Sequence, residues 1–253
     1  MKYTEYQNQQ KESSVNMHKK NEMMDRPVIN KDVRDFLRND QKQLTGHLKE
    51  LQRVANENRN PVIPHEIVSY FIWLLDQLKP KEILEVGTHI GFSASVFAEY
   101  SDANIQTIER NADLAKRAQA NFEEFGLTDR IKILEGQAED WLAELPKDSF
   151  DFIFMDSAKA KYYDFFPDCM RILKKGGVLA VDDVLQGGTI LQDTEEIPKR
   201  VRTIHRKLNA FLDVVLDHPA LITTILPIGD GLLLVTKKDE NDFNYLKNNE
   251  LNS

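Results

Sequence analysis

The chain has 253 residues, enough for one well-buried α/β domain with extensions and too few for two full domains. A net charge of −8 argues against broad nonspecific affinity for nucleic acid, although a local basic face is compatible with it. The single cysteine, Cys169, excludes an internal disulfide and a thiolate metal cluster and agrees with a reducing cytoplasm.

Residues 1–25 are polar and poor in aromatics, lack the apolar core of a secretion signal and read as a mobile tail, with Met23 or Met24 as an alternative start. A single domain is expected over residues 26–239, followed by a polar tail over 240–253. From residue 31 to about 56, Val33, Phe36, Leu37, Leu44, Leu48, Leu51 and Val54 recur at intervals that predict one amphipathic helix. A second helix is expected from about Pro64, which suits a first helical turn; its apolar residues cover more than one face.

Strands and helices then alternate. Strands are predicted at residues 82–86, 104–109, 131–135, 150–155 and 178–181. Between the second and third, Leu114, Ala118, Phe122 and Phe125 line one helix face and Gly126 supplies the stop. Such alternation gives right-handed crossovers and a doubly wound, mostly parallel sheet. The segment LITTILP–IGDG–LLLVTKK instead predicts a C-terminal antiparallel hairpin, which makes seven strands. Cys169, within FFPDCMRIL, reads as buried helix filler, and no stretch is apolar and long enough to span a bilayer. The chain is expected to be soluble and cytoplasmic.

The most informative stretch is EILEVGTHIGFS, residues 82–93: a buried strand, a glycine-flanked turn and a helix N-terminus, a crevice suited to a carboxylate or phosphate. Gly87 and Gly91 are spaced G-x-x-x-G, where a dinucleotide site and hence a dehydrogenase would want G-x-G-x-x-G. Glu109 ends the second strand, where an acid can accept hydrogen bonds from a ribose diol; a solvated charge paired with Arg110 is the alternative. Together these suggest an adenosyl ligand whose other end is small and charged.

Asp156, Asp182 and Asp183 end the fourth and fifth strands and should emerge at the same edge as Gly87. Three converging carboxylates repel one another unless a cation neutralises them, and a histidine-free oxygen set suits Mg²⁺; strand-end caps are the structural alternative. Lys159, three residues on, is either a general base beside that cation or a solvated loop lysine.

On the segments ILEVGTHIGFSA, IQTIER, FDFIFMDSAKAKYYDFF, LKKGGVLAVDDVL and the closing hairpin, the chain resembles the class I S-adenosylmethionine-dependent, metal-dependent O-methyltransferases of the catechol and caffeoyl-CoA type. Among bacterial members it is most similar to those that methylate 5-hydroxyuridine at the tRNA wobble position. The resemblance implies a Rossmann-like fold with N-terminal helices and a homodimer, with those helices as a contact. It implies that Glu85 and Gly87 border the methionine moiety of S-adenosylmethionine and that Ser93 holds its carboxylate. Glu109 would take the ribose, Ala138 would lie by the adenine and Ile63 would border the site, with Asp156 also against the cofactor. Asp156, Asp182 and Asp183 fall on the ligands of Mg²⁺ (with Mn²⁺ or Ca²⁺ as occupants of the same site), and Lys159 and Asp156 on the catalytic positions. The family has Asp-Asn where this chain has Asp182-Asp183, which adds charge and bears on metal preference.

A catechol and a 5-hydroxyuracil both offer two vicinal oxygens, so the acceptor stays open between tRNA and a small catechol-like molecule. Lys199, Arg202 and Arg206 share a helix face opposite Ile197, Val201, Ile204, Leu208 and Phe211. With Arg200 they are candidate RNA contacts, or else a solvated face meeting acids of a neighbouring subunit. His205, Lys207 and a free Lys161 would add to the basic side. A binding protein that keeps the adenosyl pocket without catalysis is the alternative of a different class, opposed by the acidic cluster.

Overall fold

The computed structural model describes residues 29–248, so the expectations for residues 1–25 lie outside the described residues. Three helices lead in: α1 (Lys31–Asn39), α2 (Gly46–Glu57) and α3 (His65–Leu78). They are followed by β1 (Glu82–Val86), α4 (Phe92–Glu99), β2 (Asn104–Glu109), α5 (Ala112–Glu124), β3 (Ile131–Glu135), α6 (Ala138–Glu144) and β4 (Phe150–Met155). The chain continues with α7 (Tyr162–Ile172), β5 (Leu173–Val181), α8 (Arg202–Leu216), β6 (Leu221–Leu226) and β7 (Leu232–Lys237).

The seven strands form one sheet in the order β3-β2-β1-β4-β5-β7-β6. The first five are parallel, and β7 runs antiparallel to both β5 and β6, as the hairpin pattern predicts. Strand order reverses between β1 and β4, the switch point where an open α/β sheet leaves a crevice at its carboxyl edge.

Alternate residues of each strand feed opposite faces. Ile83, Ile105, Phe152 and Phe154 pack with α3, α4 and α5, where Phe71 and Phe97 meet the β4 rings edge-on; the Phe71–Phe154 centroids are 5.0 Å apart. Leu84, Val86, Ile153 and Met155 pack with α6, α7 and α8 on the other face. Cys169 is fully buried there, and burial pushes its thiol well above the ordinary range.

Two expectations are corrected. The single helix over residues 31–56 is two helices, because the polar link 40–45 interrupts it; Leu44 is buried from that link, while α1 buries no residue and leaves Val33 and Phe36 exposed. Residues 240–248 are no simple polar tail: Phe243 and Leu246 are buried, and Phe243 stacks edge-on against Phe166. The second helix does start beside Pro64, which is its N-cap residue. Strand β5 also begins earlier than predicted, at Leu173, with an irregular register opposite Phe150 and Phe152. Among the described residues no helix is long and apolar enough to cross a membrane.

Candidate active site

Strand β1 delivers Gly87 to the carboxyl edge, beside the end of β4. Gly87 has φ +111°, and a Cβ there would overlap the carbonyl oxygen of Asp156, so turn and strand end approach as closely as only glycine allows. The Gly87 and Thr88 N–H groups both donate to the Ile108 carbonyl, at 3.1 and 3.2 Å. A cavity of about 430 Å³ opens beside this turn. Ile63, Gly87, Ser93, Glu109, Ala138 and Asp156 all line it.

Glu109 is almost fully buried and held by the backbone, not by Arg110: its two oxygens accept from the N–H groups of His89 (2.9 Å) and Asn111 (2.8 Å). A carboxylate accepts about four hydrogen bonds, so lone pairs remain for a diol.

Glu85 departs from the expectation. It does not line the cavity; it lies behind the wall with no exposure, accepting from the hydroxyls of Ser93 and Thr107. Thr107 is in turn 2.6 Å from the Thr88 hydroxyl. Burial, reinforced by the nearby charges of Asp156 and Glu109, raises its carboxyl to about 8 despite those two hydrogen bonds. Glu85 therefore acts on the crevice through Ser93, whose side chain reaches both.

A second cavity, about 520 Å³, adjoins the first and shares Pro61, Val62, Ile63 and Asp156 with it. Asp156, Asp182, Asp183 and Asp230 line one part of it. Arg34, Arg38, Asn39, Gln43, Gln52 and Asn56, from α1, α2 and the link between them, line another. Arg38 grips the buried carboxylate of Glu66 through Nε at 2.9 and 2.8 Å, which fixes α1 to α3.

The acidic side carries little countercharge. Burial and the Asp183 charge raise Asp156; burial and the charges of Asp183 and Asp156 raise Asp182 further. Lys159 is the cation opposing them, 2.8 Å from Asp183 Oδ2 and 3.9 Å from Asp230 Oδ2. Asp182 accepts from the Asp183 N–H at 2.8 Å, and Asp183 itself adopts φ +59°. Oxygen donors whose mutual repulsion is so poorly offset fit a hard divalent cation. Among the described residues, no three His, Cys, Asp or Glu side chains are gathered closely enough to hold an ion.

Asp230 and the amide–guanidinium wall escaped sequence reasoning. The IGDG turn read only as a hairpin, yet an antiparallel last strand enters from the edge where the parallel strands leave: Val181 of β5 faces Leu233 of β7. Lys161 is corrected too, since it pairs with Glu139 at 2.9 Å and is not free. On the basic segment, Lys199, Arg200 and Arg206 are exposed. Arg202 is turned inward to the carbonyls of Ile197 (2.9 Å) and Glu195 (3.0 Å), Lys207 pairs with Asp164 and His205 is buried. The helix itself begins only at Arg202, after a 3₁₀ turn at Lys199–Val201.

A family model described as O-methyltransferase matches residues 39–238. A probable caffeoyl-CoA O-methyltransferase of Dictyostelium discoideum is 28% identical over 204 residues, 77% of this chain and 87% of that protein. A catechol O-methyltransferase of Niastella koreensis is 31% identical over 176 residues, covering 66% and 79%. The crystal structure of the SAH-bound Podospora anserina methyltransferase PaMTH1 superposes with a TM-score of 0.73 at 23% identity, over 89% of this chain and all of that one.

Proposed function

The chain belongs to the class I S-adenosylmethionine-dependent O-methyltransferase family, and from that premise we propose that it methylates one of two vicinal oxygens in a metal-dependent reaction, with 5-hydroxyuridine in tRNA as the acceptor. The observation that carries this reading is the pair of adjoining cavities with Asp156 on the wall of both. A donor in one and an acceptor in the other would meet at that carboxylate.

S-Adenosylmethionine would supply a sulfonium methyl, with Glu109 on its ribose, Ala138 beside its adenine and Ser93 on its carboxylate. Asp156, Asp182 and Asp183 would hold Mg²⁺, which would supply Lewis-acid chemistry that makes an acceptor hydroxyl more acidic. The protein's own work is chiefly alignment, since a methyl transfer needs the oxygen in line with the sulfonium and little covalent chemistry from side chains. Lys159, 2.8 Å from Asp183, is the candidate base, and as the neutral amine it would take the acceptor's proton. Glu85 holds Ser93 from behind the wall, and Ile63 closes the crevice from the segment before α3.

The polar wall of the outer cavity supports a nucleotide acceptor. Guanidinium and amide groups suit phosphate, ribose and base edges, whereas a bare catechol ring would gain more from apolar walls. Lys199, Arg200 and Arg206 would extend that grip along the RNA backbone, with Arg202 reassigned to holding its own loop. The second reading, a catechol-type small molecule, is favoured by the activities for which the relatives are named. A homodimer is part of the proposal, with exposed Val33, Phe36 and Trp73 on the N-terminal helices as its contact. Nucleoside mass spectrometry of tRNA from a deletion strain tests the acceptor. Accumulated 5-hydroxyuridine supports tRNA, and an unchanged nucleoside profile removes it in favour of the small molecule.

A further inference from the structure

Asp230 stands in the turn between β6 and β7, at the floor of the outer cavity. Its position is fixed on both sides. The Leu185 N–H donates to its carbonyl at 2.9 Å, and the Val184 N–H to that of Gly231 at 3.0 Å, tying the turn to the segment that follows Asp183. Gly231 sits at φ +91° with the Leu185 side chain filling the space a Cβ would need, so the turn cannot slide away.

The two oxygens of Asp230 differ. Oδ1 accepts from the Gly187 N–H, while Oδ2 is buried without a hydrogen-bond partner. A buried carboxylate oxygen left bare is costly, and such groups in folded proteins ordinarily answer to something. The nearest cation is Lys159: its Nζ lies 3.9 Å from that oxygen and 2.8 Å from Asp183 Oδ2. The lysine thus stands between two carboxylates, hydrogen-bonded to one and about an ångström farther from the other, beyond hydrogen-bond reach.

Resting on the metal-dependent reading above, we propose that Asp230 is the positioning residue for Lys159: it receives the ammonium when a divalent cation takes the carboxylate of Asp183. The ammonium and a dication cannot share Asp183 without strong repulsion, and a partly buried lysine that loses its partner is penalised by its own desolvation. A short rotation of the lysine's end replaces one ion pair with another and completes the unfilled oxygen. Lys159 then stays beside the acidic cluster instead of turning out to solvent.

Titration of the full-length protein with Mn²⁺ alone, followed by electron paramagnetic resonance of the free ion, tests this without any turnover. Asp230→Asn keeps the acceptor for Gly187 and removes the charge; it should weaken Mn²⁺ binding about tenfold. Lys159→Met removes the competitor and should tighten binding several-fold. In the Lys159→Met background, Asp230→Asn should change the affinity less than twofold, since the coupling runs through the lysine. An equal loss with and without Lys159 would reduce Asp230 to a through-space charge and overturn the proposal. Unchanged binding by Asp230→Asn does the same. Should that variant not fold, Lys159→Met alone decides, and unchanged or weaker binding there refutes the hand-over. Asp156→Asn separates the two readings: if the unaltered protein binds no Mn²⁺, or binds it as well as Asp156→Asn does, the metal-dependent reading itself has failed.

Discussion

Replacing Glu85 by glutamine isolates the titration of one buried carboxyl. Its ordinary value is 4.5, and burial behind the Gly87 turn raises it to about 8 in the folded protein. A folded value above the unfolded one means that the native state binds the proton more tightly. The resulting stabilisation is complete below 4.5, drains away as pH rises through that window, and is gone above about 8. At about 1.4 kcal/mol per pH unit, the loss between pH 5.5 and 8 is on the order of 3–4 kcal/mol, a large fraction of a typical domain's stability. Glutamine matches the neutral acid in shape, still accepts from a hydroxyl and cannot ionise. Urea unfolding of both proteins across pH 5.5–9 should therefore give a difference that widens in the variant's favour up to about pH 8 and then levels. Parallel profiles would refute the assignment of a proton to this buried site.

Gly87→Ala should be severe, because φ +111° and the Asp156 carbonyl both oppose a Cβ; a loss of roughly 2–5 kcal/mol by thermal melting is expected, with donor binding abolished in calorimetry. Asp156→Ala should abolish transfer while leaving S-adenosylmethionine affinity within a few-fold, measured calorimetrically; retained turnover in chelator would contradict metal catalysis. Arg202→Ala should cost about 1–3 kcal/mol in urea, through the carbonyls of Ile197 and Glu195 left without their donor. The pair Lys199→Ala and Arg206→Ala should leave stability within about 0.5 kcal/mol yet weaken tRNA binding, read by filter retention at two salt concentrations.

Strands were the most legible part of the sequence. Runs such as FDFIFM, buried on both faces and bounded by polar turns, leave little choice of element or extent. Positions at strand ends were legible for the same reason, since parallel topology sends Gly87, Asp156 and Asp182 to one edge. What spacing cannot carry is the direction of a side chain. Glu85 turns its carboxyl behind the wall, Lys161 finds Glu139, and Arg202 folds back on carbonyls that precede it, all contacts made across elements. The helix break at residues 40–45 was hidden because Leu44 keeps the apolar period even where the backbone leaves the helix. Asp230 was hidden by its setting, a glycine-flanked IGDG segment that reads from spacing as a hairpin turn and nothing more.

The most direct test of the whole account is transfer of a labelled methyl group from S-adenosylmethionine by the purified protein to tRNA carrying 5-hydroxyuridine, with a simple catechol in parallel, each with Mg²⁺ and with chelator. Label should enter the tRNA, fall to background in chelator, and return when Mg²⁺ is restored. Transfer that proceeds undiminished in chelator, or no transfer to either acceptor, would contradict it.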